Sequence, residues 1–321
     1  MKDKQINKNQ ITLPYIDDFL LYLKTSNYSE KTIYNYERDL VALAYFLQEI
    51  DIKFEEITKN TLLNYKAYLT SRDRKTPKSI ISQKQLSSYS INRMLSVLRS
   101  YLKFLIDLDY EVPVEPTTIK LIKTEKKHPR VSEFEKIVKL IEAPSKIEKN
   151  NKVALRNRAV LETLFATGMR ISELVNLKKS QIDKTGRIFI MGKGKKERFV
   201  YLTPRAHEHL INYLETRRND NLPYLFIPYS GKNVQDKNKK ISTNYLQEKI
   251  KKYRELLGIN IPISAHSLRH GFATYLAEEG ASPAAIQTLL GHESLNTTTR
   301  YINTSDKFAE KVHREFHPLK K

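Results

Sequence analysis

Hydrophobic positions recur every three or four residues through most of this chain, the pattern of helices that bury one face. Pro14 to Leu23 reads as a short first helix. Ser29 offers an N-cap for the next, with Thr32 and Ile33 in its first turn and Ile33, Tyr36, Leu40, Leu43 and Leu47 on its apolar face. A third helix spans about Lys59 to Leu69. The polar, basic stretch Ser71 to Ser88, with Lys75-Thr76-Pro77 inside it, reads mostly as loop. A fourth helix, about Ser90 to Leu108, carries Ile91, Leu95, Leu98, Leu102 and Leu105 on one side and Asn92, Arg93, Ser96, Arg99, Ser100 and Lys103 on the other. Pro113 and Pro116 cannot continue it, so 113–130 reads as a linker between two domains, 1–112 and 131–321.

In the second domain, Ser132-Glu133-Phe134-Glu135 predicts a capping box ahead of an apolar helix through Ile141. Lys152 to Thr167 is a further helix, and the segment after Gly168 another, containing Arg170, Glu173 and Leu177. The period changes once. Arg187 to Met191 and Arg198 to Leu202 are β-favouring runs flanking Gly192-Lys193-Gly194-Lys195-Lys196-Glu197, a hairpin with a cationic tip. Helices return at 204–217 and 243–257, separated by a polar insert, Gly231 to Lys240. Ser267 to Glu279, Pro283 to Leu290 and the tail from Asp306 complete the pattern. The expected fold class is mainly α with one small β-hairpin, in two domains.

Charge changes the picture from fold to partner. The 321 residues carry a formal net charge of +20, an excess that opposes compactness by self-repulsion and suits a polyanion. The basic residues are spread through both halves, which favours nucleic acid over an anionic membrane surface. Cysteine is absent, which excludes disulfides, thiolate nucleophiles and cysteine zinc sites and suits a reducing compartment. The start, MKDKQINKNQ, lacks the apolar core of a signal peptide, and the longest apolar stretch, Leu40 to Leu47, is far shorter than a bilayer span. A cytoplasmic protein with no membrane insertion is expected.

Three local clusters could carry chemistry: Ala166-Thr167-Gly168-Met169-Arg170-Ile171-Ser172-Glu173-Leu174; His266-Ser267-Leu268-Arg269-His270; and Leu289-Leu290-Gly291-His292, followed by Thr297-Thr298-Thr299-Arg300-Tyr301. His266 and His270 have the spacing of a helical zinc pair, but no glutamate follows His266 directly and no cysteine is available, so no metal is expected. Taken singly, each histidine reads as a structural hydrogen-bonding residue. Gly192-Lys193-Gly194 lacks the spacing of a phosphate-binding P-loop. Tyr301 is one of 19 tyrosines, and nothing local marks it.

Taken in order, the clusters resemble the tyrosine recombinases (the phage integrase family), most closely their Xer branch. The ordered motifs are A-T-G-x-R-x-S-E-L, a lysine at a hairpin tip, H-x-L-R-H, L-G-H and a tyrosine, and the resemblance covers essentially the whole chain. It implies a two-domain DNA clamp, with a helical, SAM-like core-binding domain and a catalytic domain. It assigns Arg170, Lys193, His266, Arg269 and His292 to catalysis and Tyr301 as nucleophile, with Lys195 and Lys196 as competitors of Lys193. Glu173, one turn past Arg170, and His270 are expected to support these residues. Asn92, Arg93, Arg99 and Lys103 are expected to meet DNA phosphates, a solvated helix face being the ordinary alternative.

The implied reaction is strand exchange through a 3′-phosphotyrosyl bond, without cofactor or metal. The implied partners are double-stranded DNA with a short core site, a homo- or hetero-tetramer in synapsis, and a DNA translocase or another activator. Chromosome-dimer resolution is the expected role. A mobile-element integrase, a type IB topoisomerase-like nicking-closing enzyme and a non-catalytic DNA-binding regulator are the alternatives. Ser71 to Ser88 and Gly231 to Lys240 are longer than in compact Xer proteins, and no extra N-terminal DNA-binding module is expected. Phe308, Val312 and Phe316 could form one face of a tail helix that docks on a neighbouring subunit or on its own domain.

Overall fold

The computed structural model describes residues 13–71, 85–124, 133–191, 197–236 and 238–291. The chain divides into two compact units, Met1–Lys127 and His128–Lys321. Lys193, His292, Tyr301 and the tail with Phe308, Val312 and Phe316 lie outside the described residues, as do Lys195 and Lys196.

The first unit holds α1 (Ile16–Thr25), α2 (Glu30–Glu49), α3 (Lys59–Thr70) and α4 (Ser88–Asp107). Ser29 caps α2 by accepting a hydrogen bond from the amide of Thr32 at 3.2 Å. Ser87 does the same for Ser90, so α4 starts at Ser88, two residues before the expected Ser90. Leu40, Leu43 and Leu47 of α2 and Ile91, Leu95, Leu98, Leu102 and Leu105 of α4 form one core with Phe19, Leu23 and Leu69. Each such side chain removed from water contributes about 1.5–3 kcal/mol.

The stretch after α4 packs onto this core rather than standing away from it. Pro116 and Ile119 are buried, the first in a short 3₁₀ turn, Pro116–Thr118. Asn92 donates its side-chain amide to the carbonyl of Ile122 at 2.9 Å and accepts from the amide of Ile122 at 2.8 Å. Arg99 donates to the carbonyl of Ile119. Two side chains of α4 therefore hold residues 119–122 by their backbone.

The second unit is built around α6 (Asn151–Thr167). Helices α5 (Phe134–Ile147), α8 (Pro204–Glu215) and α10 (Ala265–Glu278) all pack on it. Because α6 is covered on several sides, its polar residues Arg156, Asn157, Arg158 and Glu162 are buried too, and they are paired with one another and with neighbours. Among the described residues the other α-helices and strands are α7 (Ile171–Val175), β1 (Arg187–Met191), β2 (Glu197–Tyr201), α9 (Thr243–Leu256) and α11 (Pro283–Leu290). β1 and β2 are antiparallel, with Ile188 opposite Val200 and Ile190 opposite Arg198. Those four positions form the buried face of the hairpin.

The capping box expected at Ser132 begins outside the described residues; α5 has Glu133 as its N-cap, with no side-chain cap bond. Two local expectations are corrected. The segment after Gly168 is helical for only five residues and ends before Leu177. β2 begins one residue earlier than its β-favouring run. No helix among the described residues is long and apolar enough to cross a membrane.

Candidate active site

α6 ends at Gly168, whose φ of 60° and ψ of 15° reverse the chain in the left-handed region. That conformation costs an L-residue about 1–2 kcal/mol. A second constraint acts here, since a Cβ on Gly168 would lie 2.3 Å from Cδ1 of Phe272 on α10. The turn brings Arg170 to the start of α7 as its N-cap. The amide of Arg170 donates to Oε2 of Glu173 at 2.8 Å, and its Nη1 donates to Oε1 of the same carboxylate at 2.9 Å. Glu173 is thus the partner that orients Arg170, with the guanidinium still partly exposed.

α10 presents His266, Arg269 and His270. Its start is fixed by Ser264, which accepts from the amide of Ser267 at 3.2 Å. Arg269 is only 4% exposed. It donates through Nη1 to the carbonyl of Gly168 and through Nη2 to the carbonyl of Leu290, both at 2.7 Å. The two histidines share a hydrogen bond, Nε2 to Nε2, at 2.7 Å, with their rings edge to face. Burial and the charges of His266 and Arg269 push His270 down to about 4. Partial burial, with Arg269 and Arg170 close by, lowers His266 as well. Both imidazoles are neutral near pH 7, and a neutral pair can share only one proton between the facing nitrogens.

The arginines meet at the end of α11. Arg269 takes the carbonyl of Leu290, and Nη2 of Arg170 lies 3.4 Å from the carbonyl of Gly291. These last carbonyls of a helix have no intrahelical partner and carry its partial negative charge. Gly291 caps α11 at a φ of 64°, immediately before His292. The elements that carry Arg170, Arg269 and Leu290-Gly291 are therefore gathered at one point. The guanidinium N–H groups not directed at Glu173 or at the carbonyls can donate to a phosphate, the partly exposed Arg170 foremost.

One residue that the sequence reading placed only in a strand belongs to this cluster. Arg198, on the inner face of β2, is 8% exposed and forks onto Glu173: Nη1 to Oε1 at 3.1 Å and Nη2 to Oε2 at 2.7 Å. Its Nε donates to the carbonyl of Leu289 at 2.9 Å. Burial alone would raise the Glu173 carboxyl, but hydrogen bonds from Arg198 and Arg170 hold it below the usual range. The signal was present in the alternation, because Arg198 shares its parity with the inward Val200.

On α4, the four residues expected at DNA divide in two. Asn92 and Arg99 hold the backbone of 119–122, as described above. Arg93 pairs with the buried Asp39 at 2.8 Å and is about half exposed, and Lys103 is exposed.

Comparisons with known proteins agree with this architecture. Residues 130–307 match the phage integrase family, and residues 16–108 match the phage integrase N-terminal SAM-like domain. The tyrosine recombinase XerC of Staphylococcus aureus (strain USA300) is 31% identical over 312 residues, 95% of this chain and 97% of its own length. The XerH site-specific recombinase bound to palindromic difH substrate, a post-cleavage complex, has a TM-score of 0.71 at 21% identity. That match covers 97% of this chain and 91% of XerH. A lambda integrase tetramer bound to a Holliday junction has a TM-score of 0.70 at 18% identity, covering 91% of this chain and 77% of that one.

Proposed function

This chain belongs to the phage integrase family, the tyrosine recombinases, and from that premise we propose that it exchanges DNA strands at a short core site through Tyr301. The observation that carries the proposal is the convergence of Arg170 and Arg269 on neighbouring carbonyls at the end of α11, one residue before His292. In this reading the two guanidinium groups bind the non-bridging oxygens of the scissile phosphate and stabilise the charge that builds there.

The Tyr301 oxygen attacks phosphorus and forms a 3′-phosphotyrosyl bond, while the bond to the 5′-oxygen breaks. Lys193 gives that oxygen a proton, and a 5′-hydroxyl leaves. The phenolic proton passes to His266 or His292. A phenol ordinarily titrates near pH 10, so the neighbouring cations favour its ionised form. The phosphotyrosyl bond keeps the energy of the phosphodiester, so a 5′-hydroxyl of the partner strand can reverse the step without ATP. Glu173 and His270 act behind Arg170 and His266.

The near full-length match to XerC supports chromosome-dimer resolution as the biological role. The lambda integrase tetramer bound to a Holliday junction supports four protomers acting together; a DNA translocase or another protein as activator completes the proposal. Chromosomal DNA as substrate sets the work in the cytoplasm. Arg93 and Lys103 contact phosphates, and Asn92 and Arg99 act at one remove by holding 119–122. Binding falls steeply with salt as counterions are released.

The test uses duplexes that this protein selects from a random-sequence pool, rebuilt as nicked suicide substrates and incubated in EDTA without ATP. The wild type is expected to form a covalent protein–DNA adduct, and Tyr301→Phe none. An adduct with Tyr301→Phe, or none with the wild type on a bound duplex, overturns the mechanism.

A further inference from the structure

Three consecutive carbonyls at the end of α11 each face a guanidinium from a different element. Leu289 receives Arg198 from β2, Leu290 receives Arg269 from α10, and Gly291 faces Arg170 from the start of α7. Two of these arginines are the expected phosphate ligands. The third has no part in the strand-exchange chemistry, yet it donates to both oxygens of Glu173 and to the carbonyl of Leu289.

We propose that Arg198 is a positioning residue of the recombinase site, locking the Arg170 turn to the end of α11 so that both hold one geometry before DNA arrives. The proposal rests on the recombinase reading above. Its geometric basis is the double use of Glu173. One carboxylate receives the full fork of Arg198 and, on the same two oxygens, the amide and Nη1 of Arg170. Through Nε, Arg198 also fixes Leu289. If Arg198 moves, Glu173 loses its register, and Arg170 and α11 lose their common anchor.

Packing supports the same assignment. A Cβ placed on Gly291 would meet Cδ and Nη1 of Arg198 at 3.1 Å and Cζ at 3.3 Å. The glycine of L-G-H therefore serves two ends, a left-handed helix stop and close approach by this side chain. The buried face of a two-stranded hairpin also calls for an apolar residue, as at Ile188, Ile190 and Val200. A buried ion pair is a poor stabiliser compared with such a residue, because both charges lose their hydration. What an arginine supplies here, and a methionine or lysine does not, is a planar fork plus a third donor at fixed angles.

The experiment measures single-turnover adduct formation and DNA affinity separately, on the selected suicide duplex, for wild type, Arg198→Met and Arg198→Lys. Arg198→Met suits the apolar hairpin face, and melting curves check that each variant is folded. With the anchor lost, the adduct rate is expected to fall about 100-fold, the scale of a misplacement near 1 Å, while affinity changes by less than about threefold. Arg198→Lys is expected to rescue little.

A pH profile adds a readout that loss of stability would not move. The charged groups the structure brings onto the Glu173 carboxylate are Arg170, from the start of its own helix, and Arg198, from β2. Without the fork, Glu173 protonates at higher pH, so the acid limb of the rate in Arg198→Lys is expected to shift upward. A folded Arg198→Met within threefold of the wild-type rate overturns the proposal, and so does rate loss accompanied by an equal loss of DNA affinity. If Arg198→Met does not fold, Arg198→Lys decides by the same criteria. Failure of the wild type to form an adduct refutes the recombinase reading instead.

Discussion

Replacing Gly168 by alanine tests whether the turn ahead of Arg170 is constrained in two separate ways. The first cost is conformational: at φ 60° an L-residue is disfavoured by about 1–2 kcal/mol. The second is steric. The new methyl would sit 2.3 Å from the Phe272 ring, where ordinary contact begins near 3.4 Å, so the ring must retreat by about 1 Å. Overpacking of this kind costs about 1–3 kcal/mol. The sum is about 2–5 kcal/mol, and about 3 kcal/mol in a unit of this size lowers Tm by about 6–12 °C.

Differential scanning calorimetry of the full chain follows the transition of the second unit. Gly168→Asn separates the contributions, because asparagine tolerates the left-handed region but keeps the clash. It is expected to melt between wild type and Gly168→Ala. Adding Phe272→Leu to Gly168→Ala is expected to recover part of the steric share in a double-mutant cycle. The adduct rate is expected to fall as well, since the carbonyl of Gly168 holds Nη1 of Arg269. A Gly168→Ala protein melting within about 2 °C of wild type refutes the reasoning, as does a Phe272→Leu change that brings no relief.

Two further predictions concern pH. His270 is held down at about 4, against about 6.5 when unfolded, so the folded chain binds fewer protons in that window. Stability from this group is present above about pH 6.5 and is lost as pH falls towards 4; His270→Gln is expected to flatten that loss, and nitrogen-detected NMR to show a neutral His270 ring at pH 6. Asp39 behaves oppositely: burial raises it to about 6, with Arg93 and Arg38 only partly opposing. The folded chain binds more protons between about pH 4 and 6, so this stability is present below the unfolded value and lost as pH rises through 6. Asp39→Asn is expected to remove that fall in the melting of the first unit, and an unchanged slope rejects the assignment.

The helices were legible because burial leaves a trace at every third or fourth residue, as at Leu40, Leu43 and Leu47 or along α4. The ordered motifs likewise marked Arg170 and Arg269, which the structure brings to the end of α11, and His266, which lies close to both arginines. Arg198 went unread because a charged residue in a strand suggests a solvent face, and only pairing with Glu173, 25 positions earlier (198 − 173), makes an inward arginine tenable. Asn92 and Arg99 show the converse. Periodicity identified the polar side of α4, but it contains no information about what lies on that side. The occupant is a backbone segment some 20 to 30 residues later. The brevity of α7 was hidden as well, since the apolar Leu174, Val175 and Leu177 continue a helical pattern after the helix has stopped.

That backbone segment makes the first folding unit longer than its four helices. With Ile119 in the core and Ile122 tied to Asn92 in both directions, a fragment cut at residue 112 would expose an apolar cleft along α4 and release both tethers. One cut at 124 would keep them. Amide hydrogen exchange at Ile122 would report whether the strap is fastened, independently of the helices. During synthesis, α4 leaves the ribosome before its cover does, so the first unit closes only once the strap has emerged. From then on, the start of the route to the catalytic unit is part of a folded body and no longer free chain.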